Sequence, residues 1–208
     1  MKPQLTTITA TLLLAACSAP PETGRADSQP ANKETVKMSE NKTPPTTQRE
    51  ILERMLEMMK TSESIKDFTR ERLEQVFGIK MRPHESDADS YVFSKQLTDN
   101  WWWEIEKYED QVEKLDGFRF SFIEAFHNNH KDNEKPDFTE ICDMDFDEFV
   151  QKVEKLGFTQ KPVIVQDGMQ MGVYLNKEDL QIEAAPWYYY PKNNPTEKRA
   201  CIRKISIV

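Results

Sequence analysis

The stretch that decides the fold is residues 101–126, WWWEIEKYEDQVEKLDGFRFSFIEAF. Apolar side chains occupy every second position in both halves of this stretch, which places them on one face of an extended chain. The alternating apolar positions are Trp101, Trp103 and Ile105, then Phe118, Phe120 and Phe122. The pattern predicts two strands, Trp101–Glu109 and Gly117–Phe126, in a hairpin that Asp116-Gly117 marks.

Similar short segments predict further strands on both sides of this hairpin. They are residues 91–97, 138–142, 163–166, 169–175, 180–190 and 199–208, with a turn at Asp167-Gly168. Because turns separate neighbouring segments, we expect the strands to pair as antiparallel meanders.

Capping signals predict three helices between these strands. The cap residues are Thr47, Thr69 and Asp145, and the residues that stop the second and third helices are Gly78 and Gly157. The first helix carries Met55, Met58 and Met59 along its apolar face. Such a face is either an adaptable partner-binding surface or, the favoured interpretation, the side that packs on the domain.

The order of elements predicts an α+β fold in which helices cover one face of antiparallel sheet. Each half, about residues 67–142 and 145–208, is predicted to be a helix followed by a meander. The spacing favours a pseudo-repeat, since Gly78 to Trp101 and Gly157 to Leu180 are both 23 steps. One continuous sheet and two small sheets both satisfy the layout. The layout is similar to that of periplasmic or secreted inhibitor proteins, a resemblance of topology without matched motif residues.

The N-terminus has the organisation of an export signal. Lys2 precedes an apolar, Thr-rich run that ends at Leu14-Ala15-Ala16-Cys17, and about ten residues are too few to cross a bilayer. These last four residues resemble the lipobox of bacterial lipoprotein precursors. The resemblance implies a diacylglyceryl group on Cys17 and stable anchoring by several acyl chains, and Ser18 implies the periplasmic side of the outer membrane. An ordinary signal with a chance cysteine is the alternative.

These features divide the chain into three regions. Residues 1–16 are the signal peptide, residues 17–46 are the lipidated cysteine and a disordered tether, and residues 47–208 are the globular domain. The tether has no aromatic residue, so it buries too little apolar surface to offset the entropy of ordering it.

Charge limits the classes of partner. The 28 basic and 36 acidic side chains give a net charge of −8, which excludes nucleic-acid binding driven by bulk charge. Eight carboxylates lie between Asp132 and Glu148, among them Asp143 and Asp145. Such a field steers a basic partner, although some of these acids equally suit the start of a helix.

Two aromatic clusters indicate an interaction surface, because Trp and Tyr dominate binding hot spots. If Trp101, Trp103 and Ile105 face the helices, Trp102 points outward together with the polar residues that alternate with them. The candidate partner-binding residues are Trp102, Glu104, Glu106, Tyr108, Trp187, Tyr188, Tyr189, Tyr190, Asp143 and Asp145. The alternative is that both sheet faces are covered and these clusters are core.

Cys142 and Cys201 are the thiols that remain once Cys17 is lipidated. Export to an oxidising compartment favours a disulfide between them. Two buried, unpaired cysteines are the alternative.

No metal or cofactor is predicted. His127 and His130 are weak candidates for a zinc or copper site with nearby carboxylates, but a solvated hairpin loop is favoured. Serine-hydrolase, zinc-protease and nucleotide-binding motifs do not occur in the sequence. The pair Glu104 and Glu106 is more typical of a solvated strand than of a glycosidase, so we expect a protein that is not an enzyme.

The sequence therefore predicts a lipid-anchored periplasmic lipoprotein that binds another, basic protein. An immunity or inhibitor protein that occludes an envelope-targeting toxin or hydrolase is the leading hypothesis. An envelope-assembly or scaffold lipoprotein is the alternative, and a metal-binding lipoprotein is the least favoured.

Overall fold

A computed structural model describes residues 42–85, 87–109, 116–125, 138–165, 168–191, 194 and 196–207. Its helices are α1 (Gln48–Lys60), α2 (Arg70–Phe77) and α3 (Phe146–Glu154), with short 3-10 turns at Ile65–Asp67 and Phe138–Glu140. Its strands are β1 (Arg82–His84), β2 (Asp87–Gln96), β3 (Trp101–Glu109), β4 (Asp116–Glu124), β5 (Thr159–Ile164), β6 (Gln170–Lys177), β7 (Leu180–Tyr189) and β8 (Arg199–Ile207). Within these ranges no helix is long and apolar enough to span a membrane.

All eight strands form one antiparallel sheet in the order β1-β2-β3-β4-β8-β7-β6-β5. Strands β1 to β4 form one meander and β5 to β8 form another. The pairing of β4 with β8, from Phe118 opposite Ile207 to Ser121 opposite Lys204, joins the two.

The predicted α+β layout, with a pseudo-repeat of helix followed by meander, is wrong. The fold is dominated by the single continuous sheet, and α1 contacts both α2 and α3, so the helices are not divided one to each half. Alternating side chains mark a strand but do not tell which edges of distant strands pair. The join between β4 and β8 therefore could not be read from the pattern.

Two local predictions are also wrong. Residues 138–142 contain a 3-10 turn instead of a strand, because Phe138 is buried against Trp101 with ring centroids 4.7 Å apart. Asp116-Gly117 lies inside β4, opposite Glu109 and Tyr108, instead of marking the turn. The Tyr108 ring lies against Gly117 where a Cβ would be, so this position requires glycine for close approach.

Helices α1 and α2 begin after Thr47 and Thr69, and α2 ends at Gly78, as the capping signals predict, whereas α3 ends at Glu154, before the predicted Gly157. The Thr47 hydroxyl accepts the N–H of Glu50, and the Glu50 carboxylate accepts the N–H of Thr46 at 2.8 Å. Hydrogen bonds from Thr46 hold the pKa of Glu50 below its ordinary value. The methionines of α1 (Met55, Met58 and Met59) are fully buried, so this face packs on the domain and does not present a partner-binding surface.

The core lies between the helices and one face of the sheet. Phe118, Phe120 and Trp103 are buried on this face, and the Phe118 ring lies 5.2 Å from that of Phe68, just before α2. Burial of several large aromatic side chains at about 1.5–3 kcal/mol each makes this layer the main stabilising contact between sheet and helices.

The N-terminus of α1 fixes the segment that leads into α3. The buried Gln48 amide oxygen accepts the N–H groups of Asp143 and Met144, both at 2.8 Å. Arg49 donates to Glu148 at 2.8 Å and also to the Asp143 carbonyl oxygen. The hydrogen bond from Arg49 lowers the pKa of Glu148 from its ordinary value. These contacts hold the start of α3 against α1.

Cys142 and Cys201 lie within disulfide distance, with Cα atoms 6.0 Å apart. Cys142 follows the 3-10 turn, and Cys201 is buried in β8. A bond here would tie the loop before α3 to the C-terminal strand across a separation of 59 residues.

The segment before α1 is described only from residue 42 onward. Lys42 pairs with Glu57 at 2.8 Å, and Arg54 donates to the Thr43 carbonyl oxygen at 2.8 Å. The last residues of the region expected as a tether therefore lie against α1. The signal peptide, Cys17 and the rest of the tether lie outside the described residues.

We predict that removal of both thiols, by Cys142→Ala and Cys201→Ala together, lowers the free energy of unfolding by about 4 kcal/mol, the chain-entropy value for a loop of this length. Urea unfolding of the two proteins, with and without reductant, measures this loss. Reductant should bring the wild type close to the variant. Equal stability of both proteins without reductant would show that no bond forms.

Candidate functional site

The side chains on the two faces of β3 differ in burial. Trp101, Trp103 and Ile105 are buried in the core, whereas Trp102 is 36% exposed on the other face. Glu104, Glu106 and Tyr108 follow on the same side as Trp102 and are partly buried. No helix of the described residues is packed there, and we name this side of the sheet the open face.

One ion pair on the open face links β3 and β4. Arg119 on β4 donates to Glu106 at 3.3 Å, and its guanidinium lies 5.5 Å from the centre of the Tyr108 ring. Burial raises the pKa of Glu104 above its ordinary value, and the neighbouring Glu106 carboxylate raises it further. Ionisation of Glu104 is therefore less favourable than that of a fully solvated glutamate.

The aromatic run at the end of β7 is divided between core and surface. The Trp187 ring stacks on Phe138 at 5.6 Å and meets Trp101 edge-on at 6.4 Å, so it belongs to the aromatic cluster under the sheet. Tyr189 is partly buried against the core. Tyr188 and Tyr190 are 42% and 59% exposed, and these two remain available for binding.

An exposed apolar cluster that sequence reasoning did not single out lies at the β5–β6 turn. It comprises Ile164, Val165, Met169 and Met171, with Tyr188 nearby on β7, and we name these five residues the hairpin surface. Met169 and Met171 are 57% and 50% exposed. The Val165 N–H bonds to the Met169 carbonyl oxygen at 3.0 Å, which brings the two arms of the turn together.

The physical reason for this exposure lies in a β-bulge at the start of β6. Val163 pairs with Gly172 and Ile164 pairs with Gln170, so Met171 is the extra residue of the bulge, and Met169 lies just before the strand. The bulge interrupts the regular alternation between Met171 and the buried Val173. The Met-x-Met-x-Val spacing by itself indicates one common face, and only the pairing of β5 with β6 shows the bulge that breaks it.

A groove of about 490 Å³ lies beside the hairpin surface, between the N-terminus of α3 and the ends of β7 and β8. We name it the acidic groove, because four carboxylates and two cations line it. The charged lining residues are Asp145, Asp147, Glu148, Glu197, Lys198 and Arg199. Tyr188 and Gln170 line it too, and Gln170 pairs with Ile164, so the groove borders the hairpin surface.

Asp145 is held by an ion pair. Arg199 donates to its carboxylate at 2.8 Å, and the negative charge of Asp145 raises the pKa of Arg199 from its ordinary value. The Asp145 side chain makes no capping hydrogen bond to α3. Across the groove, the Lys198 amino group lies 3.9 Å from the centre of the Tyr188 ring.

The structure brings only part of the predicted site together. Asp145 and Tyr188 line one groove, and Asp143 is exposed just before it on the loop that Gln48 and Arg49 hold. The four candidates on β3, namely Trp102, Glu104, Glu106 and Tyr108, are separated from β7 by β4 and β8. The predicted residues thus fall on two distinct surfaces.

Potential metal ligands occur together at the cysteine pair. One ligand atom each from Cys142, Asp145 and Cys201 lie within 4.8 Å of one another. A disulfide leaves no thiolate to bind a metal, and Asp145 is already paired with Arg199, so these residues fit a disulfide better than a metal centre. His127 and His130 lie outside the described residues.

No protein-family model, curated protein or solved structure matches this chain. The functional proposal therefore rests on the hairpin surface and the acidic groove.

We predict that Glu104→Gln stabilises the protein increasingly as the pH rises from about 4 toward 7. The folded protein, with the raised pKa of Glu104, binds more protons than the unfolded chain in this window, so ionisation of Glu104 costs stability as pH rises. Thermal unfolding midpoints of wild type and variant over this range measure the difference. A difference that does not change with pH would contradict the assignment.

Proposed function

We propose that this protein binds another protein of basic charge, through the hairpin surface and the acidic groove, and that a lipid anchor on Cys17 holds it at the periplasmic side of the outer membrane. We propose binding, and not catalysis, as its activity. The observation that carries this proposal is the apolar cluster at the β5–β6 turn, which directly borders a groove with an excess of carboxylates.

The apolar part of this surface has the composition of an interface. Single exposed apolar side chains are common on soluble proteins, but a contiguous group marks a site of contact. Met169 and Met171 adapt their shape to a partner because their side chains are unbranched. Tyr188 adds a large, rigid contact area with a polar end, as interface hot spots do.

The charged part of the surface favours a basic partner. Asp147 is exposed and makes no ion pair with any described residue, and Glu197 lies 3.9 Å from Arg199, a loose contact. Carboxylates at the rim of an interface chiefly raise the association rate. The net charge of −8 acts in the same direction over longer distances.

The edge strand β5 favours recognition by side chains over strand addition. Pro162 lies within β5 and has no N–H to donate, and Lys161 beside it is exposed. Proline and lysine on an edge strand hinder pairing with a further strand. The partner is therefore expected to dock on the hairpin surface with its own apolar side chains.

Occlusion is the mechanism that this arrangement supports best. A rigid sheet presents the docking residues, and the acyl anchor would keep them near the membrane where a secreted toxin or hydrolase acts. An immunity or inhibitor lipoprotein needs these properties and no catalytic group.

We predict that Met169→Asp abolishes capture of the partner, because it places a charge in the apolar contact. The full-length protein serves as bait for envelope and secreted proteins of the source organism, with Gln160→Asp, which introduces the same charge elsewhere on exposed β5, as the matched control. The expected partner is basic, is retained by the control and is released by high salt. Equal capture by Met169→Asp would contradict the proposed surface, and retention at high salt would favour a scaffold role.

For the captured partner, we predict that Tyr188→Ala weakens binding by about 2 kcal/mol, the threshold of a hot spot. Trp102→Ala is the comparison, because Trp102 lies on the other candidate surface. Calorimetric titration of both variants decides between them. A loss with Trp102→Ala and none with Tyr188→Ala would move the docking site to the open face.

We predict that Cys17→Ser prevents anchoring, because serine has no thiol to carry the diacylglyceryl group. Phase separation in a non-ionic detergent measures this: the wild type is expected in the detergent phase and the variant in the aqueous phase. A wild-type protein found in the aqueous phase would contradict lipidation without bearing on the partner-binding surface.

A further inference from the structure

A second groove, of about 750 Å³, lies on the open face where β4 and β8 separate. Pairing between these strands ends at Ser121 opposite Lys204, and β4 continues to Glu124 without β8 beside it. Ile123 lines one side of the gap, and Ala185 and Trp187 of β7 line the other. We name it the cationic groove, because Arg119, Arg203 and Lys204 line it.

A β-bulge gathers positive charge at this groove. The register between β7 and β8 shifts after Ala185, so that Ala185 pairs with Lys204, Pro186 pairs with Ile202, and Arg203 is the extra residue. A bulge re-aims the side chain at the extra position. Arg203 and Lys204 therefore both line the groove, although consecutive residues of a regular strand point to opposite faces.

Two of the three cations at the groove have no carboxylate partner among the described residues. Arg119 is paired with Glu106 at 3.3 Å. Arg203 lies over the Trp187 ring at 4.8 Å and forms no ion pair with a described residue, and the same holds for Lys204. Glu124 also lines the groove, so three cations face one carboxylate among the lining residues. In a chain with a net charge of −8, this local excess of positive charge marks a place suited to an anion.

The apolar lining favours aliphatic contact over ring stacking. One face of the Trp187 ring is stacked on Phe138, and the Arg203 guanidinium lies over the ring as well. A ligand thus meets the ring edge together with the aliphatic side chains of Ile123 and Ala185. The volume lies within the range of about 300–1,000 Å³ typical of sites for small molecules.

We propose that the cationic groove binds an anionic amphiphile, a ligand with a carboxylate or phosphate head and a single aliphatic chain. Lys204 and Arg203 hold the head through charge-assisted hydrogen bonds. The chain lies along Ile123, Ala185 and the edge of Trp187. This site is separate from the hairpin surface, so the proposal for it can be tested independently of the proposed partner binding.

The test is calorimetric titration of the full-length protein with dodecanoate and with dodecyl phosphate, both below their micelle-forming concentrations. Dodecyltrimethylammonium, which has the same chain and the opposite charge, is the control ligand. Binding of one or both anions and not of the cation is expected, and the ratio of the two anion affinities identifies the preferred head group. Binding of all three alike, or of none, overturns the proposal.

Two variants locate the site. Lys204→Met keeps the aliphatic stem and removes the charge, and it is expected to weaken binding of the anion at least about tenfold, as loss of a charge-assisted contact does. Lys161→Met, an exposed lysine on β5, is the matched control and should bind as the wild type does.

Ala185→Leu fills the groove without changing its charge. It is expected to abolish binding of the aliphatic chain while the thermal unfolding midpoint stays close to that of the wild type. Unchanged affinity in both Lys204→Met and Ala185→Leu would place any amphiphile binding elsewhere and overturn the assignment to this groove.

Discussion

The pairing of β4 with β8 is the constraint on which the rest of the structure depends. Four residue pairs, from Phe118 with Ile207 to Ser121 with Lys204, join two meanders into one sheet. The buried side chains of this join, Phe118, Phe120, Ile205 and Ile207, lie at the centre of the core face. Because the pairing stops at Ser121, the same join also opens the gap that the cationic groove occupies.

On the core side, Phe138 connects β3 with β7. Its ring contacts both Trp101 and Trp187. Further along, Gln48 holds the backbone at Asp143 and Met144, and Asp145 forms a bridge to Cys201 of β8. A polar contact from α1 thus sets the position of Asp145 in the acidic groove, which links the packing of the helices to the candidate binding surface.

The sequence predicted individual helices and strands better than it predicted how the strands pair. The bounds of β3 and the caps Thr47 and Thr69 follow from local patterns that the structure reproduces. The β4–β8 join involves residues more than 80 positions apart, and no local pattern encodes it. The exposure of Met169 and Met171 was missed for a related reason, since the bulge at Met171 shows only in the pairing of β5 with β6.

The short segment of β7 and β8 around Trp187 and Tyr188 serves three purposes because of strand geometry. Consecutive side chains point to opposite sides, so Trp187 joins the aromatic cluster and lines the cationic groove, while Tyr188 lines the acidic groove. On β8, Arg199 is paired with Asp145, whereas the bulge brings Arg203 and Lys204 together at the cationic groove, where cations outnumber carboxylates in the lining. Alternation and one bulge therefore separate positive from negative surface on two adjacent strands. An acidic protein can in this way keep a site at which cations outnumber carboxylates.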